Sequence, residues 1–214
     1  MRFPRTFCFM ACAAFLSPCA LAFENLSIGT LSHVTFEKIT PTKYSNKEDT
    51  LQADVHMSSS ILIKPFDTIR PVKSVSFLWK SEGSLGVKNA EQEEEKDGDD
   101  MVVRIGLMVS GERPLVPFFA PSWIKATEKV MKLPSDKIIN LTVGARHAPG
   151  TEWESPYSSS ISYRSIPSKP AEDGWQLAEA TFDKPLSVVG YWIIADGDNT
   201  QSTFKTWVKN LDLK

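Results

Sequence analysis

The chain has only three cysteines, Cys8, Cys12 and Cys19, and all lie within its first 22 residues. Residues 23–214 therefore hold no thiol nucleophile, no thiolate metal ligand and no disulfide. Basic charge is not in excess either. The formal net charge is −2, which excludes the cationic face that sequence-independent nucleic-acid binding requires. Histidine is scarce: His33, His56 and His147 are the only three, too scattered for a recognisable catalytic order. Ser58, Ser59 and Ser60 lack the glycine-flanked turn of a nucleophile elbow. After the first segment there is no run of 18 apolar residues, so no membrane-spanning helix is expected.

What is present begins with that first segment. Arg2 and Arg5 make a positive start, Phe7 to Leu16 is apolar, and Ala20-Leu21-Ala22 forms an A-x-A cleavage pattern before Phe23. The apolar part is too short to cross a hydrocarbon core of about 30 Å. Residues 1–22 are thus expected to be a secretory signal, and residues 23–214 one domain, periplasmic or secreted. A lipoprotein signal at Cys19 is the less favoured alternative, because Pro18 stands where a small residue belongs. Losing two arginines from a net charge of −2 leaves −4, and a cysteine-free chain suits an oxidising compartment.

Short apolar runs with period-two alternation fill the rest. In Val75-Ser-Phe-Leu-Trp79 the large residues fall at 75, 77 and 79, one face of a strand. Met101 to Val109 has apolar residues at both parities and predicts a strand buried on both sides, with Arg104 as the exception that must find a partner. Pro114, Pro117 and Pro121 exclude a central strand between 112 and 132, while Ser122 can start a short helix through Met131. The first part of Ser81 to Asp100, a segment that contains the acidic run from Glu91, is expected to be a solvated loop, because its charges repel and apolar residues are absent. About ten strands, at most one short helix and no linker predict an all-β, single-domain antiparallel β-sandwich of the jelly-roll kind.

Two strands carry acidic tips. Asp97-Gly-Asp-Asp100 leads into the strand from Met101, and Tyr191 to Ala195 ends in Asp196-Gly-Asp-Asn199. If these tips meet, Asp99, Asp100, Arg104, Asp196, Asp198 and Asn199 form a polar site. Like charges about 4 Å apart repel by on the order of 1 kcal/mol in water and by more when buried. Arg104, a bound cation or a retained proton must then compensate. Oxygen donors without thiolate select calcium, with Asp99, Asp196 and Asp198 as the expected ligands. The competing reading is ordinary turn chemistry at strand ends. Trp153 and Tyr157, in the polar stretch from Gly150 to Tyr157, are candidates for an exposed aromatic platform, as is Trp123. Trp79, Trp175 and Trp192 sit in apolar strands and are expected in the core.

Several landmarks together resemble an uncharacterised family of exported bacterial proteins, domain of unknown function 3047. They are Thr42-Lys-Tyr44, Ser58-Ser-Ser60, Pro71 to Lys80, Gly98 to Arg104 and Asp196 to Thr200, spread over nearly the whole mature chain. The family pattern has a second aromatic where this chain has Phe77. The resemblance implies a galactose-binding-like or carbohydrate-module-like jelly roll, and no activity. The expected function is a periplasmic, non-enzymatic binding module for a saccharide or other cell-envelope component. The alternatives are a glycan hydrolase or lyase using the aspartate cluster, and a purely structural envelope protein.

Overall fold

Two long strands, β4 (Ser60–Ser84) and β10 (Gln176–Asp196), run antiparallel along each other from Gln176↔Trp79 to Ile194↔Ile61 and organise everything else. Each changes character half-way. In β4 residues 60–63 are buried on both faces, residues 67–71 are exposed, and from Val75 to Trp79 only alternate residues are buried. β10 does the reverse, alternating to about Leu186 and then fully buried from Val188 to Asp196. The change coincides with register shifts between Thr181 and Leu186 and between Val188 and Gly190, opposite Pro65 and Pro71. Proline cannot donate to a ladder and is tolerated at such irregularities. The pair therefore bends there, and one continuous sheet folds into two layers.

The computed structural model describes residues 23–112 and 122–214. The expected signal segment 1–22 and the prolines Pro114, Pro117 and Pro121 lie outside the described residues. The other strands are β1 (Ser32–Thr35), β2 (Lys43–Lys47), β3 (Thr50–His56), β5 (Met101–Ser110), β6 (Ser135–Val143), β7 (Glu152–Ser155), β8 (Ser158–Ser165), β9 (Ser168–Pro170) and β11 (Thr203–Leu213). Together the eleven described strands follow the order β2-β3-β11-β4-β10-β5-β6-β8-β7, with β1 on β4 and β9 on β10. The fold is an all-β sandwich. Its pairings are antiparallel except β6 with β8, which run parallel. The described residues add two short α-helices, α1 (Ala90–Glu93) and α2 (Ser122–Val130), and no described helix is long and apolar enough to cross a membrane.

Between the layers lies the main core. Phe77, Val75, Ala178, Phe204 and Val208 from the outer layer meet Leu62, Ile105, Leu107, Tyr191 and Ile193 from the inner one. Each such side chain contributes about 1.5–3 kcal/mol on burial, so a cysteine-free domain of this size has an adequate source of stability. The inner layer also has apolar residues on its other face, including Ile61, Ile63, Met108, Ile138, Ile161, Trp192 and Ile194. Trp123, Ala126 and Val130 of α2 pack against them, which explains why β5 and the end of β10 are apolar at both parities.

One row across this second face is tightly specified. Trp192 pairs with Gly106, Gly106 with Asn140, Asn140 with Tyr163 and Tyr163 with Trp153. The Trp192 indole lies across Gly106 and its Nε1 donates to Asn140 Oδ1 at 2.6 Å. A Cβ on Gly106 would sit 1.8 Å from that Nε1. Gly106→Ala is therefore expected to dislodge the indole and break its buried hydrogen bond. The cost should be about 2–4 kcal/mol, seen as a fall in Tm of roughly 5–15 °C by circular dichroism.

Candidate functional site

β5 begins where β10 ends, because the two strands are antiparallel neighbours: Asp196 pairs with Met101. That register brings Asp99 and Asp100, just before β5, beside Asp196 and the turn after it. The turn is tied down on several sides. Gly197 N–H donates to the Ser58 carbonyl at 3.1 Å and Ser202 N–H to the Gly197 carbonyl at 2.8 Å. Asp100 completes it by accepting from Asn199 N–H at 3.1 Å, Thr200 N–H at 2.6 Å and the Thr200 hydroxyl at 2.6 Å.

Asp99 turns the other way. Its Oδ1 accepts from Arg104 Nη1 at 3.2 Å, its carbonyl from Arg104 Nη2 at 2.9 Å, and its Oδ2 from the Tyr163 hydroxyl at 3.0 Å. Arg104 Nη1 also reaches Tyr163 Oη at 3.2 Å, and Nη2 stands 3.7 Å from Asp196 Oδ2. Arg104, unusual in a strand this apolar, is thus an internal counter-charge that is only 3 % exposed. Burial works against its charge, but Asp99 and then Tyr163 and Asp196 raise its pKa further, so it stays a cation.

The carboxylates differ. Burial pushes Asp99 above the usual range, with Arg104 opposing, and does the same to Asp100, with Thr200 and Asn199 opposing. Asp196 is raised well above it by burial. Arg104 opposes that rise, and Asp198 and Asp100 add to it. One oxygen each from Asp100, Asp196 and Asp198 lie within 4.8 Å of one another. The expected cation set of Asp99, Asp196 and Asp198 is therefore revised: the oxygens of Asp99 face Arg104 and Tyr163, and Asp100 takes its place in the cluster.

All of these charged groups except Asp100 line a cavity of about 410 Å³. Asp99, Arg104, Asp196, Asp198 and Asn199 line its polar end, and Phe36, Ile61, Trp123, Ile161, Trp192 and Ile194 its apolar end. Tyr157 lines it too and is 46 % exposed, at the rim. Trp153 does not. It is buried in β7, stacked on His147 with ring centroids 4.3 Å apart and on Tyr163 at 5.5 Å, so it backs the tyrosine rather than offering a platform. Trp192 is in the core as expected and walls the cavity as well, whereas Trp175 is only half-buried.

The acidic stretch before β5 also departs from a wholly solvated loop. Glu93 is fully buried, accepting from the backbone N–H of Arg146 and, at 3.1 Å, of His147. Residues 98–100 are buried as well. Among the lining residues that sequence reasoning missed are Asn140 and Tyr163. The available signal was parity, because Asn140 shares the inward face of β6 with Ile138 and Thr142, where a buried amide needs a partner.

Residues 30–212 match the model of a family described as a protein of unknown function (DUF3047). The chain belongs to this family. Both acidic tips, Arg104 and the strands that carry them lie inside the matched residues. No curated protein matches the chain.

Removing Arg104 should be costly, since breaking a buried ion pair leaves an uncompensated charge. Arg104→Met is expected to lose about 3–5 kcal/mol, measured from the urea midpoint. Arg104→Lys should recover only part of this, because one ammonium cannot reproduce the guanidinium fork that reaches Asp99 and Tyr163 together.

Proposed function

We propose that the protein is an exported, non-enzymatic binding module whose cavity takes a saccharide, with a cell-envelope glycan as its ligand class. One observation carries the reading: a single cavity joins an aromatic wall, from Trp123, Trp192 and Tyr157, to a polar end of carboxylates, an amide and a guanidinium. A sugar ring has C–H faces that pack on indoles and a girdle of hydroxyls that both donate and accept. The cavity volume of about 410 Å³ falls among small-molecule sites of roughly 300–1,000 Å³.

Binding is favoured over glycan cleavage by the arrangement of the acids. One oxygen each from Asp100, Asp196 and Asp198 lie within 4.8 Å of one another. A retaining glycosidase separates its carboxyl groups by about 5–5.5 Å and an inverting one by about 6.5–9.5 Å, on opposite sides of the bond cut. A cluster gathered at one end of a cavity resembles a set of acceptors more than a flanking pair.

On a glycan array, the protein is expected to retain a subset of glycans. Trp123→Ala and Asn199→Ala should each weaken the best of them by at least about tenfold, or 1.4 kcal/mol. An array left blank at high protein concentration overturns the reading. Export has its own check. The positive start, short apolar run and A-x-A pattern support cleavage after Ala22, so protein recovered from the periplasm or medium should begin at Phe23 by N-terminal sequencing. An N-terminus at Met1 would contradict export.

A further inference from the structure

Asp99, Arg104, Asp196 and Asp198 line the polar end of the cavity with Asp100 buried beside them, and these four carboxylates are not equally provided for. Asp99 is matched by Arg104 and Tyr163, and Asp100 by three donors from the turn. Asp196 is not. Its Oδ2 lies 3.7 Å from Arg104 Nη2, and among the described residues its Oδ1 has no hydrogen-bond donor, although Asp196 is only 7 % exposed. A buried acceptor without a donor is destabilising, and more so when it is charged. The half-buried Asp198 adds a further carboxylate with Asp100 on the other side, all three within 4.8 Å. Since Arg104 is already engaged by Asp99, the remaining charge is met by a retained proton or by a small positive species in contact with all three.

We propose that Asp100, Asp196 and Asp198 bind a hard divalent cation, of which calcium is the best match, at the polar end of the cavity. All the donors are oxygens, and the described part of the cluster contains neither histidine nor thiolate, which selects calcium-type chemistry over zinc. Calcium takes six to eight oxygens, so three carboxylates leave positions to be filled from the cavity side by water or by the hydroxyls of a ligand. The cation would also accept a lone pair from Asp196 Oδ1, which has no hydrogen-bond donor among the described residues. Asp100 suits the role because its hydrogen bonds to the turn hold it still, and Oδ1 accepts only one of them. The proposal does not depend on what fills the rest of the cavity, and it holds even if the ligand is not a saccharide.

The test uses the mature protein, stripped with a chelator and melted with and without added calcium chloride, in the absence of any glycan. A cation bound only by the native state should raise Tm by about 5–10 °C at a hundredfold excess over its Kd. Asp198→Asn, at a half-buried position, should fold and lose most of that shift, and calorimetric titration of the same variant should show the loss as a fall in calcium affinity of at least tenfold. Asp67→Asn, at an exposed position paired with Lys132, should keep the full shift. An unchanged melt in the wild type, or an equal shift in Asp198→Asn, overturns the proposal. Because no glycan is present, a blank glycan array would leave this result standing, and a missing calcium shift would not by itself remove saccharide binding.

Discussion

A buried guanidinium on one strand and the carboxylates at the ends of two strands constrain one another, and the cavity follows from that constraint. Arg104 could not remain charged on an apolar face without Asp99 and Tyr163, and Asp99 could not lie at 6 % exposure without Arg104. The pairing fixes the start of β5, which sits in register with the end of β10. The turn after Asp196 is then held by Asp100. A polar cluster is thereby anchored at one end of a hydrophobic face, by hydrogen bonds that come from four separate parts of the chain.

The bend in β4 and β10 makes that face available. Were the sheet flat, the apolar residues of the inner strands would have one core to face and the other parity would be exposed. Folding at the prolines and register shifts buries one parity between the layers and leaves the other to be covered by α2. The covering is partial. Trp123 on the helix and Trp192 on the sheet, with ring centroids 6.3 Å apart, together wall the cavity that also reaches the acidic end. Gly106 allows the indole of Trp192 to lie flat enough for this, and Asn140 holds its N–H.

Membership of a family of unknown function places the acidic tips inside a shared domain without naming a ligand. The aromatic and polar halves of the cavity are what point toward a polyol. The distribution of hydrogen bonds among the aspartates, saturated at Asp99 and Asp100 and incomplete at Asp196, is what points toward a cation. Both arguments come from the same few residues but use different properties of them, shape in one case and unmet valence in the other.

The strand character was legible in the amino-acid pattern because alternation at 75, 77 and 79, and apolar runs at 101–109 and 188–195, reflect one-sided and two-sided burial directly. Arg104 and the two acidic tips stood out for the same reason, as charges attached to strands that exclude water. Other features were not legible. Trp153 sits among polar neighbours in the sequence, yet it is buried, because cross-strand pairing with Tyr163 and stacking on His147 decide its exposure. Glu93 belongs to a run of acids and still lies inside, held by backbone donors more than fifty residues away. Asn140 joins the cavity only through its pairing with Gly106 and Tyr163. The sequence by itself determined which segments are strands and which charges need partners, since both follow from local patterns of polarity. Tertiary structure alone decided which partners they found, because strand register brings together residues that no spacing along the chain connects.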